Sequence, residues 1–98
     1  MNLTKEQKKF LRSLAHERKV IIWIGQNGLT ENLLAEIDSA LNHHELVKIK
    51  IRVGERELRD EIIESICNHT SALLVQKIGN TITLYKRKKN EPVIIFPG

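Results

Sequence analysis

The chain is poor in the residues that staple or break a fold. Among 98 residues it has one cysteine, two prolines, five glycines, one tryptophan, one tyrosine and two phenylalanines. A lone cysteine, Cys67, excludes an internal disulfide and cannot complete a zinc site by itself. On the apolar face of a helix it reads as a small core residue. The four histidines, His16, His43, His44 and His69, show no metal-ligand spacing, so neither metal nor cofactor is expected. The longest apolar run, Val20-Ile21-Ile22-Trp23-Ile24, is far too short to span a bilayer. The opening Met1-Asn2-Leu3-Thr4-Lys5-Glu6 turns polar at once, unlike the apolar core of a signal peptide. A cytoplasmic protein with no membrane partner is the expectation. No third glycine stands at dinucleotide-binding spacing, and no Gly-Lys-Ser/Thr follows the glycines, so no small-molecule nucleotide substrate is expected. Glu31, Glu36, Asp38 and Glu61 fall on helix surfaces without an apolar pocket, which argues against paired acid–base chemistry and against an enzyme.

What the chain does have is charge in blocks. Its formal net charge is +4 and its pI about 9.4. Residues 1–25 carry six basic and two acidic side chains, and residues 26–45 four acidic and none basic. Residues 46–59 return to five basic against two acidic, 60–70 have three acidic only, and 71–98 have five basic against one. A fold that gathers the basic blocks makes a surface attractive to polyanions, and one that scatters them leaves solvated lysines. With 41% hydrophobic residues the chain can bury a core, and its length suits a single domain over 1–98.

Periodicity predicts the elements. Thr4-Lys5-Glu6-Gln7 fits a capping box, and Phe10, Leu11, Leu14 and Ala15 recur at helical spacing, predicting a helix over 5–16. Lys5, Lys8, Lys9 and Arg12 fall off its apolar stripe. Residues 20–24, unbroken, β-branched and aromatic, predict a strand covered on both faces, with Trp23 a core or sheet residue. Leu29, Leu33, Ile37 and Leu41 step by four, marking a helix over about 30–42 that ends near His43-His44. Residues 46–53 alternate: Val47, Ile49, Ile51 and Val53 face one way, and Lys48, Lys50 and Arg52 the other. Leu58, Ile62 and Ile66 predict a helix over about 57–69. Strands over 73–78 and 81–86 meet at Gly79-Asn80, a hairpin-type loop. The apolar piece Pro92–Pro97 either adds an edge strand or packs on the sheet; the sequence leaves this, and the order of the tail from about 87, open. The order α-β-α-β-α-β-β predicts an α+β fold of about two layers, with one mixed sheet packed against helices.

Gly25 and Gly28 flank Gln26 and Asn27 between the first strand and the second helix. A G-x-x-G loop lets backbone amides approach a phosphate without Cβ obstruction, and the helix starting near Thr30 aims its free N–H groups and dipole at the same place. A plain strand-to-helix turn would carry the same two glycines.

The segments "LRSLAH" (11–16), "IGQNGLTENLLAEI" (24–37), "HHELVKIKI" (43–51) and "IGNTITLYK" (78–86), in this order and spacing, resemble the CRM domain, the chloroplast RNA splicing and ribosome maturation module, in its free-standing bacterial YhbY-type form. The resemblance covers nearly the whole chain. It implies a mixed four-stranded sheet of order 1-2-4-3, similar to the C-terminal domain of bacterial initiation factor three. It also implies RNA binding, with rRNA in precursors of the large ribosomal subunit as partner. The chain departs from the family pattern where Gln26 replaces a frequent lysine, which removes a charge from the loop. The candidate RNA-binding set is then Gly25, Gln26, Asn27, Gly28 and Thr30 in the loop, and Lys5, Lys8, Lys9 and Arg12 on the first helix. Lys48, Lys50 and Arg52 join it from the alternating strand, and Tyr85, Lys86 and Arg87 from the end of the last strand; Tyr85 reads as a core or sheet residue like Trp23, and of the two it is the better candidate for touching a base. A monomer acting without catalysis is the expectation; the competing reading is a protein-interaction module whose basic surface docks on an acidic ribosomal or regulatory partner.

Overall fold

The capping box forms as the sequence requires. In the computed structural model, which describes residues 2–97, the Gln7 amide donates to Thr4 Oγ1 at 3.1 Å and the Thr4 amide to Gln7 Oε1 at 3.0 Å. Two donors that a helix start leaves without partners are thereby satisfied. The elements are α1 (Lys5–His16), β1 (Val20–Ile24), α2 (Glu31–His44), β2 (Leu46–Ile51), α3 (Arg56–Thr70), β3 (Leu73–Ile78) and β4 (Thr81–Tyr85). Thr30 caps α2, which runs through both His43 and His44, and β2 stops at Ile51, two residues before the alternation does.

The four strands form one mixed sheet in the order β1-β2-β4-β3. β1 pairs parallel with β2, and β4 pairs antiparallel with both β2 and β3. A parallel pair needs a crossover, and α2 supplies it. Ile22 and Ile24 of β1, Val47, Ile49 and Ile51 of β2, and Ile82 and Leu84 of β4 all point to one face. They pack against Ile37 and Leu41 of α2 and Ile62, Ile63 and Ile66 of α3. Each fully buried aliphatic of this kind contributes about 1.5–3 kcal/mol.

The second face carries the correction to a two-layer fold. Phe10, Leu11, Leu14 and Ala15 find the first face already filled by α2 and α3. They lie instead across Leu46, Val75 and Tyr85, with Ile94 and Phe96 of the tail beside them. A partial third layer results. It covers only one end of the sheet, so β1 is an edge strand open on its second face rather than covered on both. Ile21 is 42% and Trp23 57% exposed, and Trp23 is not a core residue.

Glu45, between α2 and β2, holds the tail. It adopts φ 65°, costly for a residue with a Cβ, and is fully buried. Its Oε1 accepts from the amides of Val93 at 2.7 Å and Ile94 at 2.6 Å, and its Oε2 from Lys88 at 2.7 Å. The Lys86 amide donates to its carbonyl at 2.9 Å. The apolar tail therefore packs on α1 and the sheet without becoming a strand, and Phe96 meets Phe10 and Tyr85 at ring-centroid distances of 5.7 and 5.8 Å. Among the described residues no helix is long and apolar enough to cross a membrane.

Candidate nucleic-acid interface

β1 ends at Ile24 and the chain turns at once. The Gly28 amide donates to the Gly25 carbonyl at 2.9 Å, closing a four-residue turn that exposes Gly25, Gln26 and Asn27. Gly28 takes φ +74°, a conformation that side chains with a Cβ adopt at a cost. Gly25 does not have a positive φ, and a Cβ added there meets nothing within 4 Å. The turn thus explains Gly28 and leaves Gly25 unexplained by the fold. Thr30 follows, its Oγ1 accepting from the Leu33 amide at 3.1 Å, and the first turn of α2 opens beside the loop. Free amides, a dipole's positive end and an unobstructed backbone meet in one exposed place.

The remaining candidates divide between the two ends of the sheet. At the loop end, the Arg52 amide donates to the Ile24 carbonyl at 2.7 Å, which brings exposed Arg52 against the C-terminus of β1. Lys50 lies in register between Trp23 and Thr81 and is half-buried. Lys48, one pair further back, sends its Nζ to the Ala15 carbonyl at 3.2 Å and so secures the C-terminal end of α1. Arg18 does the same from the other side, donating to the Leu46 carbonyl at 3.2 Å. The three alternating cations are therefore not equivalent: Lys48 is partly engaged in packing, while the Arg52 side chain is exposed and has no hydrogen-bond or ion-pair partner among the described residues.

Lys5, Lys8, Lys9 and Arg12 are exposed on α1, at the opposite end from the loop. Lys86 and Arg87 leave β4 at that end too. Lys86 lies 3.6 Å from Asp38, and with Arg87, Lys88 and Lys89 it lines a surface depression floored by Ser71 and Leu73. Lys88 and Lys89 belong with this group although only their block charge marked them in the sequence.

Tyr85 is the candidate that geometry removes. It is fully buried beneath the third layer, so its ring offers no face to a base. Burial raises its pKa, and the Glu45 carboxylate adds to the effect. Position at the end of a strand beside basic residues had suggested access, but α1 and Phe96 close over it. Trp23 is the reverse case: a ring that strand composition assigned to the interior stands in the open. His43 and His44 end α2 as expected, their rings edge to face with centroids 4.6 Å apart. Among the described residues no cluster of three or more His, Cys, Asp or Glu could hold a metal ion.

This α+β fold, three helices packed on a four-stranded mixed sheet, is shared with a known protein structure. The family model described as the CRS1 / YhbY (CRM) domain matches residues 3–86, and the chain belongs to that family. It is 48% identical to a protein of Haemophilus influenzae named RNA-binding protein, over 97% of this chain and 95% of that one. It is 38% identical to the probable RNA-binding protein YqeI of Bacillus subtilis, over 97% and 99% of the two chains. The solution structure of a hypothetical protein from Staphylococcus aureus superposes with a TM-score of 0.80 at 36% identity, covering 98% of this chain and all of the other.

Proposed function

We propose that this protein is a non-catalytic RNA-binding protein, cytoplasmic and monomeric, that acts in assembly of the large ribosomal subunit. It binds rRNA in subunit precursors through the G-x-x-G loop and the basic surface beside it. The observation that carries this reading is Gly25, a glycine that the backbone does not need, set where a phosphate would approach amides at the start of α2. Lys50 and Arg52 add positive charge next to the loop, and Gln26 and Asn27 offer neutral donors. Family membership and the names of the relatives support RNA as the ligand.

A salt titration with naked rRNA fragments tests it. If about four to six phosphates are contacted, log K against log salt falls with a slope of about −3 to −5. Tight binding to a protein partner, with no affinity for RNA alone, would favour the protein-docking module. Crosslinking in cells, with sequencing of the attached RNA, tests the subunit assignment: large-subunit rRNA is expected, and its absence would remove that part.

A further inference from the structure

We propose that the open end of the sheet's second face is a stacking site for unpaired RNA bases, with Trp23 as the platform and Lys50 as its cation. The proposal rests on the RNA-binding reading and adds to it a contact that the glycine loop cannot make, one to bases rather than to phosphate.

The register defines the site. Trp23 pairs with Lys50, Lys50 with Thr81, and Thr81 with Ile78, so one row crosses all four strands on the same face. Inter-strand steps of about 4.8 Å make that row about 14 Å wide. Trp23 is 57% and Ile78 64% exposed. Because side chains alternate along a strand, the Ile22 and Ile24 that flank Trp23 point into the core, and the indole cannot turn inward without pulling them out. The only tryptophan of the chain is thus held outside by register, two residues before Gly25.

The chemistry of the surroundings selects the occupant. Behind the row, Val20, Lys48, Gln76 and Thr83 line a hollow shared with Ile78 and Thr81. None of the strand residues on this half of the face is acidic. Trp23 and Ile78 are separated by Lys50 and Thr81, so the two exposed apolar side chains of this row do not join into one patch. An aromatic plane between ammonium and hydroxyl groups, in a cationic hollow, suits a nucleobase, which carries both a π face and polar edges. A base inside a duplex cannot reach a flat sheet, so the site takes unpaired nucleotides. Phosphate in the glycine loop and a base on Trp23 would belong to adjacent positions of one strand.

As the sole tryptophan, Trp23 reports on itself. A dye-labelled single-stranded oligoribonucleotide and a duplex of the same length are titrated into the protein, reading dye anisotropy and tryptophan emission together. The single strand is expected to quench emission as anisotropy rises, and the duplex to bind with little quenching. W23A should weaken single-strand binding about tenfold, W23F much less, and neither should change duplex binding. Unchanged melting temperatures establish that both variants fold. If the single strand binds with emission unaltered, and W23A binds it as tightly as the parent, the stacking site is wrong while RNA binding stands. If neither RNA raises the anisotropy, the RNA reading falls and the site with it. Emission that changes on diluting the protein alone, or only on adding ribosomal proteins, would assign the surface to a second copy or a protein partner and overturn the proposal.

Discussion

The two ends of the sheet's second face are built from the same strands and have opposite fates. At one end Leu46, Tyr85 and Leu73 stand side by side, and α1 and the tail lie over Leu46 and Tyr85. At the other, Trp23, Lys50, Thr81 and Ile78 stand side by side, with Trp23 and Ile78 in solvent. Both rows obey the same alternation. What separates them is where α1 lands, and that is fixed by Lys48 and Arg18 at its C-terminal end and by the aromatic contacts of Phe10. The closed end supplies stability; the open end, with the glycine loop beside it, is where the proposed RNA contacts lie. If this division is real, substitutions at the two ends should separate melting temperature from RNA affinity.

The largest effect should come from the closed end. E45A removes the acceptor for three backbone amides and leaves them near the interior without partners. A loss of about 3 kcal/mol or more is expected, seen as a lower melting midpoint and as faster amide exchange at Lys88, Val93 and Ile94. E45Q keeps one oxygen and should lose less. RNA affinity of the folded fraction should hold, because the loop lies at the far end. An E45A variant that melts with the parent would show that the carboxylate does not hold the tail.

Next comes the loop. Q26D/N27D keeps both glycines and places two carboxylates beside a helix N-terminus, where anions are tolerated, so the fold should survive. RNA affinity should drop at least tenfold, about 1.4 kcal/mol, because the new charges repel a phosphate. A folded double variant that binds rRNA fragments like the parent would leave the loop as a turn and nothing more.

The alternating strand lies between the two regimes and should divide them. K48Q gives up the hydrogen bond to Ala15 and part of the packing of a half-buried stem, so about 1 kcal/mol of stability should go, with a modest change in binding. K50Q and R52Q should lower RNA affinity several-fold and leave melting where it is. Equal effects from all three would mean that α1 does not distinguish them.

Much of this could be read from the sequence because it is local or periodic. The capping box, the four-residue steps of α2, the alternation of β2 and the Gly79-Asn80 turn each depend on neighbours a few residues away. The errors share one cause: they depend on which surface a distant element covers. Val20–Ile24 looked fully interior because nothing in its own composition says that α1 stops short of it. Tyr85 stayed divided between core and base contact because the helix that buries it comes from the other end of the chain. Glu45 is hidden for the same reason. Its amide partners lie 43 to 49 residues downstream, and one glutamate at the end of an acidic block carries no signal of that role. Charge blocks marked the cations but could not divide them between two ends of a sheet.

The smallest effect, that of G25A beside G28A, is the most telling. G28A forces a Cβ into φ +74° and should cost about 1–2 kcal/mol. G25A meets no such strain and no neighbouring atom within 4 Å, so stability should hold or rise by about 0.5 kcal/mol as the unfolded chain loses freedom. The two glycines should therefore respond differently in a melting experiment. Binding should reverse the contrast, since a methyl group at position 25 stands where a phosphate would approach the loop amides. An equally or more stable G25A that binds RNA several-fold more weakly would show that this glycine serves the ligand rather than the fold. If G25A instead binds as the parent does, the phosphate lies elsewhere, and the open sheet beside the loop becomes the place to look.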